Sequence, residues 1–549
     1  SSRRRHTRCG RDWSSDVCSS DLSASAMADA LEACEFSELE TVKDLPGMVR
    51  TAVTTINRAW LANVPLEGEH ARLQDLAKLE AAVLERLPPS MSCPNDLANL
   101  AIQRIQYAPK VLGPVTFTRI TDIEPCWRDL VLELIEQVKV TWEPGHKSVP
   151  EWLPKQRIKI NKETEKCPVI SGALSANPRH EAQEALRWAR SLVANGTARP
   201  EEIAIAGADP SQWDAYFQEL AANANIDLHF VHGLPVTSFS EGQACAALAE
   251  TLLNGLSQER IRRLVPLIKR HGRGVAEIPG NWTLDLPKDA PLLSLDRWEQ
   301  AFDNITEWQC GYDYSSIILP VLEFLSKGPS EADSIGEKLL TGRALAIWRK
   351  ALRDGSASAL DVTLQNLKTD DGLDPNTCIA WMRAEDLASA PRTHVWLLGL
   401  TSRGWPRTRG EDPLLPDHIV PSNVLSPLSV AEYDRRDFMS ILMSTGENVV
   451  LSRARRDPEG RLYGLSPLWP ADVQPIYLIR SRVPEHACSE ADRLLARTSE
   501  FSLDAIAVST SKCWRNWHLH KLTPHDGLVQ DSHPIVLEAL NRVQSATSL

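Results

Sequence analysis

Apolar residues recur along this chain with two periods, and the period changes from one region to the next. Through residues 23–165 the spacing is helical. Leu76, Leu79, Val83 and Leu87 fall at i, i+3, i+7 and i+11, which puts one apolar stripe on a helix. A second helix is predicted over 130–138, and short strands over 115–117 and 138–142. From 166 strands and helices alternate. An apolar strand at 168–173 precedes Ala182, Ala185, Leu186, Ala189, Leu192 and Val193, which follow one helical face. Strand-like runs at 203–207 and 228–231 flank a helical stretch at 213–222. Residues 241–375 are again mainly helical (244–256, 258–270, 339–354). The strand grammar then returns at 378–382, 395–400 and 448–452, with a helix at 431–444. Loops and short helices are expected over 471–543.

Strand–helix–strand order points to an α/β fold with a parallel sheet and covering helices. The halves 166–240 and 376–470 are each too short for a good core. Together they make one domain of ordinary size, interrupted by a helical insertion at 241–375. The strands near Ile205 and Leu397 are therefore expected to share a sheet.

Composition narrows the class. The chain has 549 residues, 43% hydrophobic and 24% charged, in the globular range. No apolar run reaches the roughly 18–20 residues that a membrane-spanning helix needs, so no membrane partner is expected. The net charge of −12 excludes a uniformly basic coat but allows a local basic groove. Eleven cysteines lie far apart with no CxxC pair, which argues against a disulfide framework or zinc ribbon and for a cytoplasmic setting. Residues 1–22 (SSRRRHTRCGRDWSSDVCSSDL) show no periodicity and resemble the translated read-through of a sequencing adapter; they are expected to be disordered. The 17 tryptophans could stack bases, but Trp60, Trp188 and Trp396 sit on apolar faces and read as core.

The chemistry-bearing positions are arginines. Residues 391–470 hold ten Arg and no Lys, against nine Asp and Glu. Arg403 and Arg407 follow the apolar strand VWLLG, where ligands gather in open α/β sheets. Arg453, Arg455 and Arg456 follow the strand at 448–452. A guanidinium fork suits phosphate, and internal ion pairing suits the same composition; the sequence leaves both readings open for these five residues. His518, His520, His525, Asp526 and His533 lack metal-ligand spacing, and no metal is expected there. GxxxxGK[ST] and GxGxxG are absent.

An ordered set of segments carries a resemblance: DLPGMVR at 44–50, ALRWAR at 185–190, HFVHG at 229–233, GLTSRGWP at 399–406, EDPLLPD at 411–417, DRRDF at 434–438, SRARRDPEG at 452–460 and TPHDG at 523–527. With these the chain resembles bacterial putative DNA-repair proteins of the PD-(D/E)XK nuclease superfamily, related to the B subunit of AddAB helicase–nucleases and so to UvrD/Rep-type helicases. The resemblance implies a RecA-like (P-loop NTPase-like), UvrD/Rep helicase-like architecture. Residues 23–165 would be the remnant of a first RecA-like domain, 166–240 with 376–470 the second, 241–375 its helical insertion and 471–543 a connector. Residues 544–549 would open a nuclease domain whose Mg²⁺-binding residues lie beyond Leu549; no cofactor is implied for the chain itself. DNA is the implied partner, with a partner helicase subunit as a second. Active relatives end the helix matching 432–445 with an arginine on the γ-phosphate. Aligned through Arg435 and Arg436, that position is Ser444, and losing such a cation is expected to remove ATPase activity. A degenerate scaffold that binds DNA or a helicase without chemistry is the alternative. An unrelated α/β enzyme acting on a nucleotide or sugar is disfavoured by the missing phosphate-binding motifs.

Overall fold

The computed structural model describes residues 20–520 apart from 46, 88–91, 289, 310, 355–356, 409, 427 and 497–502. The fold is mixed α/β, organised on a seven-stranded parallel sheet. Its strands, in chain order, are β4 (Val169–Ser175), β5 (Ile203–Gly207), β6 (Leu228–Phe230), β9 (Ile379–Arg383), β10 (His394–Leu398), β11 (Asn448–Ala454) and β12 (Pro475–Tyr477). In space they run β12-β4-β11-β10-β5-β9-β6. Trp396 lies opposite Ile205 and Leu397 opposite Ala206, so strands almost 200 positions apart are direct neighbours. Every residue of β5 and β10 is buried. That matches their near-continuous apolar sequences, since a parallel sheet is covered on both faces. One face packs on helices Pro178–Ala194 and Asp214–Ala224 through Ala182, Ala185, Leu186, Ala189 and Phe217. The other packs on helices Ala384–Ser389 and Val430–Ser444 through Leu387, Ala388, Phe438 and Ile441.

Between β6 and β9 the chain leaves the sheet and builds a helical body. Its core, from Val236 to Leu367, includes Trp282, Trp298, Tyr314 and Trp348 and draws on no residue of the sheet. A short antiparallel pair closes the neck: β7 (Leu234–Pro235) beside β8 (Lys368–Thr369). Gly233, at φ +67°, makes the turn into β7; a Cβ there would sit 3.3 Å from the Thr369 carbonyl oxygen.

The N-terminal region holds two units. Helices between Ser20 and Arg86 share a core with Leu414, Leu415, Val420 and Leu425, contributed by the segment after β10. A separate three-stranded parallel sheet pairs β1 (Val115–Thr118), β2 (Val140–Gly145) and β3 (Lys159–Lys162) in that order. Helix Pro125–Gln137 and the fully buried Trp142 supply its core.

Two sequence expectations change. Helix Ser20–Ala33 begins inside the stretch expected to be disordered, while residues 1–19 lie outside the described residues. The expected connector contributes β12 to the sheet and carries the 17-residue helix Leu503–Leu519. β12 is only three residues long, begins with a proline and leaves Ile476 and Tyr477 exposed, which is the habit of an edge strand rather than of the buried central ones. Residues 521–549, with the TPHDG segment and the nuclease start expected at 544–549, lie outside the described residues. No described helix is long and apolar enough to cross a membrane.

Candidate nucleic-acid interface at the carboxyl edge of the sheet

In a parallel sheet all strands end on one edge, and the loops leaving that edge form the natural ligand crevice. Here β10 runs into the turn 399–407. Gly399, at φ +72°, begins it; a Cβ there would meet the Trp213 ring at 3.3 Å. Trp405, fully buried, anchors its far end edge-on to Phe438, with ring centroids 5.6 Å apart. Strand β11 runs into a hairpin across 455–463. The Tyr463 N–H donates to the Arg455 carbonyl (2.9 Å) and the Asp457 N–H to that of Arg461 (2.9 Å), with Gly460 at the bend. The loops clasp each other: the Ser402 N–H donates to the Gly464 carbonyl (3.0 Å), and Thr401 bridges Leu465.

The five arginines divide sharply. Arg403 stands exposed on its turn. Arg455 is exposed, with its guanidinium 5.0 Å from the Tyr477 ring centroid. Arg456 is exposed and donates to the Gly460 carbonyl at 2.6 Å. Arg453 is half-buried and donates to the Tyr463 carbonyl (2.9 Å); burial pulls its pKa down, Glu181 opposes that shift, and Arg455 adds to it. Arg407 is different. Its main-chain N–H donates to Asp434 Oδ2 at 2.6 Å and its Nη2 to Oδ1 at 2.8 Å, with Asp434 only 3% exposed. Of the two readings open for Arg407, the structure shows the internal ion pair.

The DRRDF helix divides its charges between two faces. Val430–Ser444, capped by a Ser429–Glu432 capping box, turns Asp434 and Asp437 inward and Arg435 out to solvent. Asp437 meets the buried Lys147 at 3.0 Å, and burial raises its pKa. Ser444 is buried in the last helical turn, with no hydrogen-bond partner for its hydroxyl.

Sequence reasoning missed Glu181. It lies in the first turn of helix Pro178–Ala194, fully buried at the ends of β10 and β11. Its Oε1 accepts the Gly399 N–H (2.9 Å) and the Ser452 hydroxyl (2.6 Å). Ser452 Oγ accepts the Trp396 indole N–H at 2.8 Å. Burial pushes the Glu181 carboxyl up to about 7 against the pull of these hydrogen bonds. No signal in one sequence marks it, because Glu in a first helical turn is ordinary N-terminal chemistry.

Glu184 and Arg187, three positions apart on the same helix, are buried as well. Asp492 binds Arg187, Arg482 binds Glu184, and His180 Nε2 lies 3.3 Å from Glu184. Burial would raise Glu184, but the hydrogen bonds from His180, Arg482 and Arg187 outweigh it and hold the group at about 2.

One His/Asp group has metal-ligand spacing among the described residues: His229, Asp370 and Asp371, with ligand atoms within 4.8 Å of one another. Asp371 accepts the main-chain N–H groups of Phe230 (2.7 Å) and Leu373 (3.0 Å) and faces His229 Nδ1 at 2.9 Å. Its oxygens are committed to joining β6 to the returning chain, which does not fit a Mg²⁺ ligand set. His518 and His520 lie at the end of helix Leu503–Leu519 and just past it; His525, Asp526 and His533 lie outside the described residues. Trp60 and Trp396 are buried and Trp188 packs against the sheet core.

No protein-family model and no curated protein matches this chain.

Proposed function

We propose that this chain is the DNA-gripping, helicase-like part of a DNA-repair nuclease of the PD-(D/E)XK superfamily, with RecA-like parallel-sheet domains and no ATPase activity of its own. The observation that carries the reading is the exposure of Arg403, Arg455 and Arg456 on two interlocked loops at the carboxyl edge of the large sheet. Arg456 has a carbonyl partner and Arg455 an aromatic ring, so neither positive charge is cancelled by a carboxylate ion pair. A guanidinium held this way still presents N–H groups and full charge to a phosphate. Tyr477 adds an exposed ring beside Arg455, the combination that stacks bases while the cation meets the backbone. None of the named residues is catalytic, and Mg²⁺-dependent cleavage is assigned to none of them.

The test is the salt dependence of oligonucleotide binding. Replacing Arg403, Arg455 and Arg456 by Ala together should weaken binding and flatten the slope of log affinity against log salt by about 0.9 per lost duplex-DNA phosphate contact. An unchanged slope would overturn the interface. DNA-stimulated ATP hydrolysis by the wild-type chain would overturn the passive role.

A further inference from the structure

Among the described residues only two tryptophans are exposed: Trp514, at 62%, and Trp517, at 75%. Every other described tryptophan is buried or half-buried, the ordinary state of so large a ring. Both exposed rings stand on helix Leu503–Leu519, where every side chain described is exposed or half-buried. The chain reaches this helix soon after Asp492, whose buried pair with Arg187 fixes it to the sheet domain.

Geometry and charge together say what the rings suit. Trp514 and Trp517 are three positions apart, so they share one side of the helix, about 4.5 Å apart along its axis. The His518 ring lies against Trp514, with centroids 5.9 Å apart and planes 30° from parallel. Val508, Lys512, Arg515 and Leu519 follow i, i+4, i+7 and i+11 on the opposite side, all exposed. Between Asp504 and Asp526 the sequence holds Lys512, Arg515 and Lys521 and no acid, although the chain carries a net charge of −12. Exposed rings beside cations, with no carboxylate among them in sequence, suit a polyanion that offers flat π faces. In a duplex those faces are covered by neighbouring base pairs; in a single strand they are open. A bilayer would instead need the apolar side chains gathered on one face and the charged ones on the other. Here Val508 and Leu519 share the side of Lys512 and Arg515, so apolar groups stand on both.

We propose that helix Leu503–Leu519 is a binding site for single-stranded DNA: Trp514 and Trp517 each stack on an unpaired base, and Arg515 meets the phosphate backbone. This rests on the DNA reading above and adds the form of DNA that the chain takes. The sheet-edge arginines and this helix are then two contacts with one substrate, the first governed by charge and the second by stacking.

The experiment uses the full chain and fluorescence anisotropy, with labelled oligothymidine and a labelled duplex of equal length as probes. Trp514→Ala combined with Trp517→Ala should weaken single-strand binding by about thirtyfold, the loss of two stacked bases at the low end of their worth. Duplex binding and the salt slope should stay as in wild type. Trp514→Phe combined with Trp517→Phe keeps two rings and should retain most of the single-strand affinity. Arg515→Ala should flatten the single-strand salt slope by about 0.7, one phosphate contact. Because both rings are exposed, the Ala pair should unfold at the same denaturant midpoint as wild type. An unaltered single-strand affinity in the Ala pair would overturn the proposal, and so would an equal loss on the duplex. A lowered unfolding midpoint would place the rings in a packed contact of the chain itself. Lost binding to vesicles of equal parts phosphatidylglycerol and phosphatidylcholine, with single-strand affinity intact, would assign the helix to a lipid surface; either result overturns the proposal. The Ala variant of Arg403, Arg455 and Arg456 separates the two readings. If it leaves the salt slope unmoved while the Ala pair loses single-strand binding, the sheet-edge interface fails and the helix site stands. The reverse result leaves the sheet-edge interface and removes the helix site. A wild-type chain that binds neither probe removes both.

Discussion

Helix Val430–Ser444 and the hairpin across 455–463 are both rich in arginine and acid, yet they dispose of their charge in opposite ways. In the helix, Asp434 and Asp437 are three apart and share a face. That face is inward, and each carboxylate meets a cation from elsewhere: Arg407 from the turn and Lys147 from beyond β2. Arg435 is left in solvent. In the hairpin, Arg455 and Arg456 are adjacent, and their neighbours are a tyrosine ring and a main-chain carbonyl. Charges buried in pairs cancel and hold elements together; charges set against neutral acceptors remain available to an outside anion. Counting arginines cannot separate the two outcomes.

The largest effect is expected where the closed pairs are broken. Asp437→Ala strands Lys147, whose side chain is 3% exposed, without its carboxylate; the cost should be about 3–5 kcal/mol in denaturant unfolding. Replacing both partners by apolar residues of similar volume should recover most of that loss. If Asp437→Ala is neutral, the pair is not closed.

The buried Glu184 network is a second closed system. Its folded pKa, about 2, lies below the ordinary glutamate value of 4.5, so its contribution is fully present above pH 4.5 and is lost as pH falls towards 2. A loss on the order of 3 kcal/mol is expected across that window. Glu184→Gln should flatten the acid limb of a stability–pH curve, and an unaltered limb would place the acid sensitivity elsewhere.

The smallest effect sharpens the contrast from the open side. Arg435→Ala, on the solvent face of the helix, should change stability by no more than about 0.5 kcal/mol. It should also leave the salt slope of DNA binding unmoved, because Arg435 lies on the helix rather than on the two loops at the sheet edge. A slope change as large as that of Arg455→Ala would extend the interface onto this helix.

Much of the sheet was legible in the sequence. β5 and β10 are short apolar runs bounded by turn residues, and parallel strands buried on both faces must read that way. The expectation that the strands near Ile205 and Leu397 share a sheet is met, and the structure adds that they are direct neighbours in register. The candidate site was legible only in outline. Arg403, Arg455 and Arg456 could be placed because they follow recognisable strands. Internal pairing was an open reading for Arg407, but the partner was not legible: Asp434 is 27 positions away on a helix whose inward face looked charged. Glu181 and Glu184 were hidden for a related reason. They sit on what looks like the polar side of an amphipathic helix, and β10, β11 and the segment around Asp492 close over that side only in three dimensions.

The neck formed by β7 and β8 has a further consequence. Because Leu234 pairs with Thr369 and Pro235 with Lys368, the chain enters and leaves the helical body at points only about 5 Å apart. A module whose ends meet can be enlarged, exchanged or deleted between generations by a single splice, while the strands on either side keep their order.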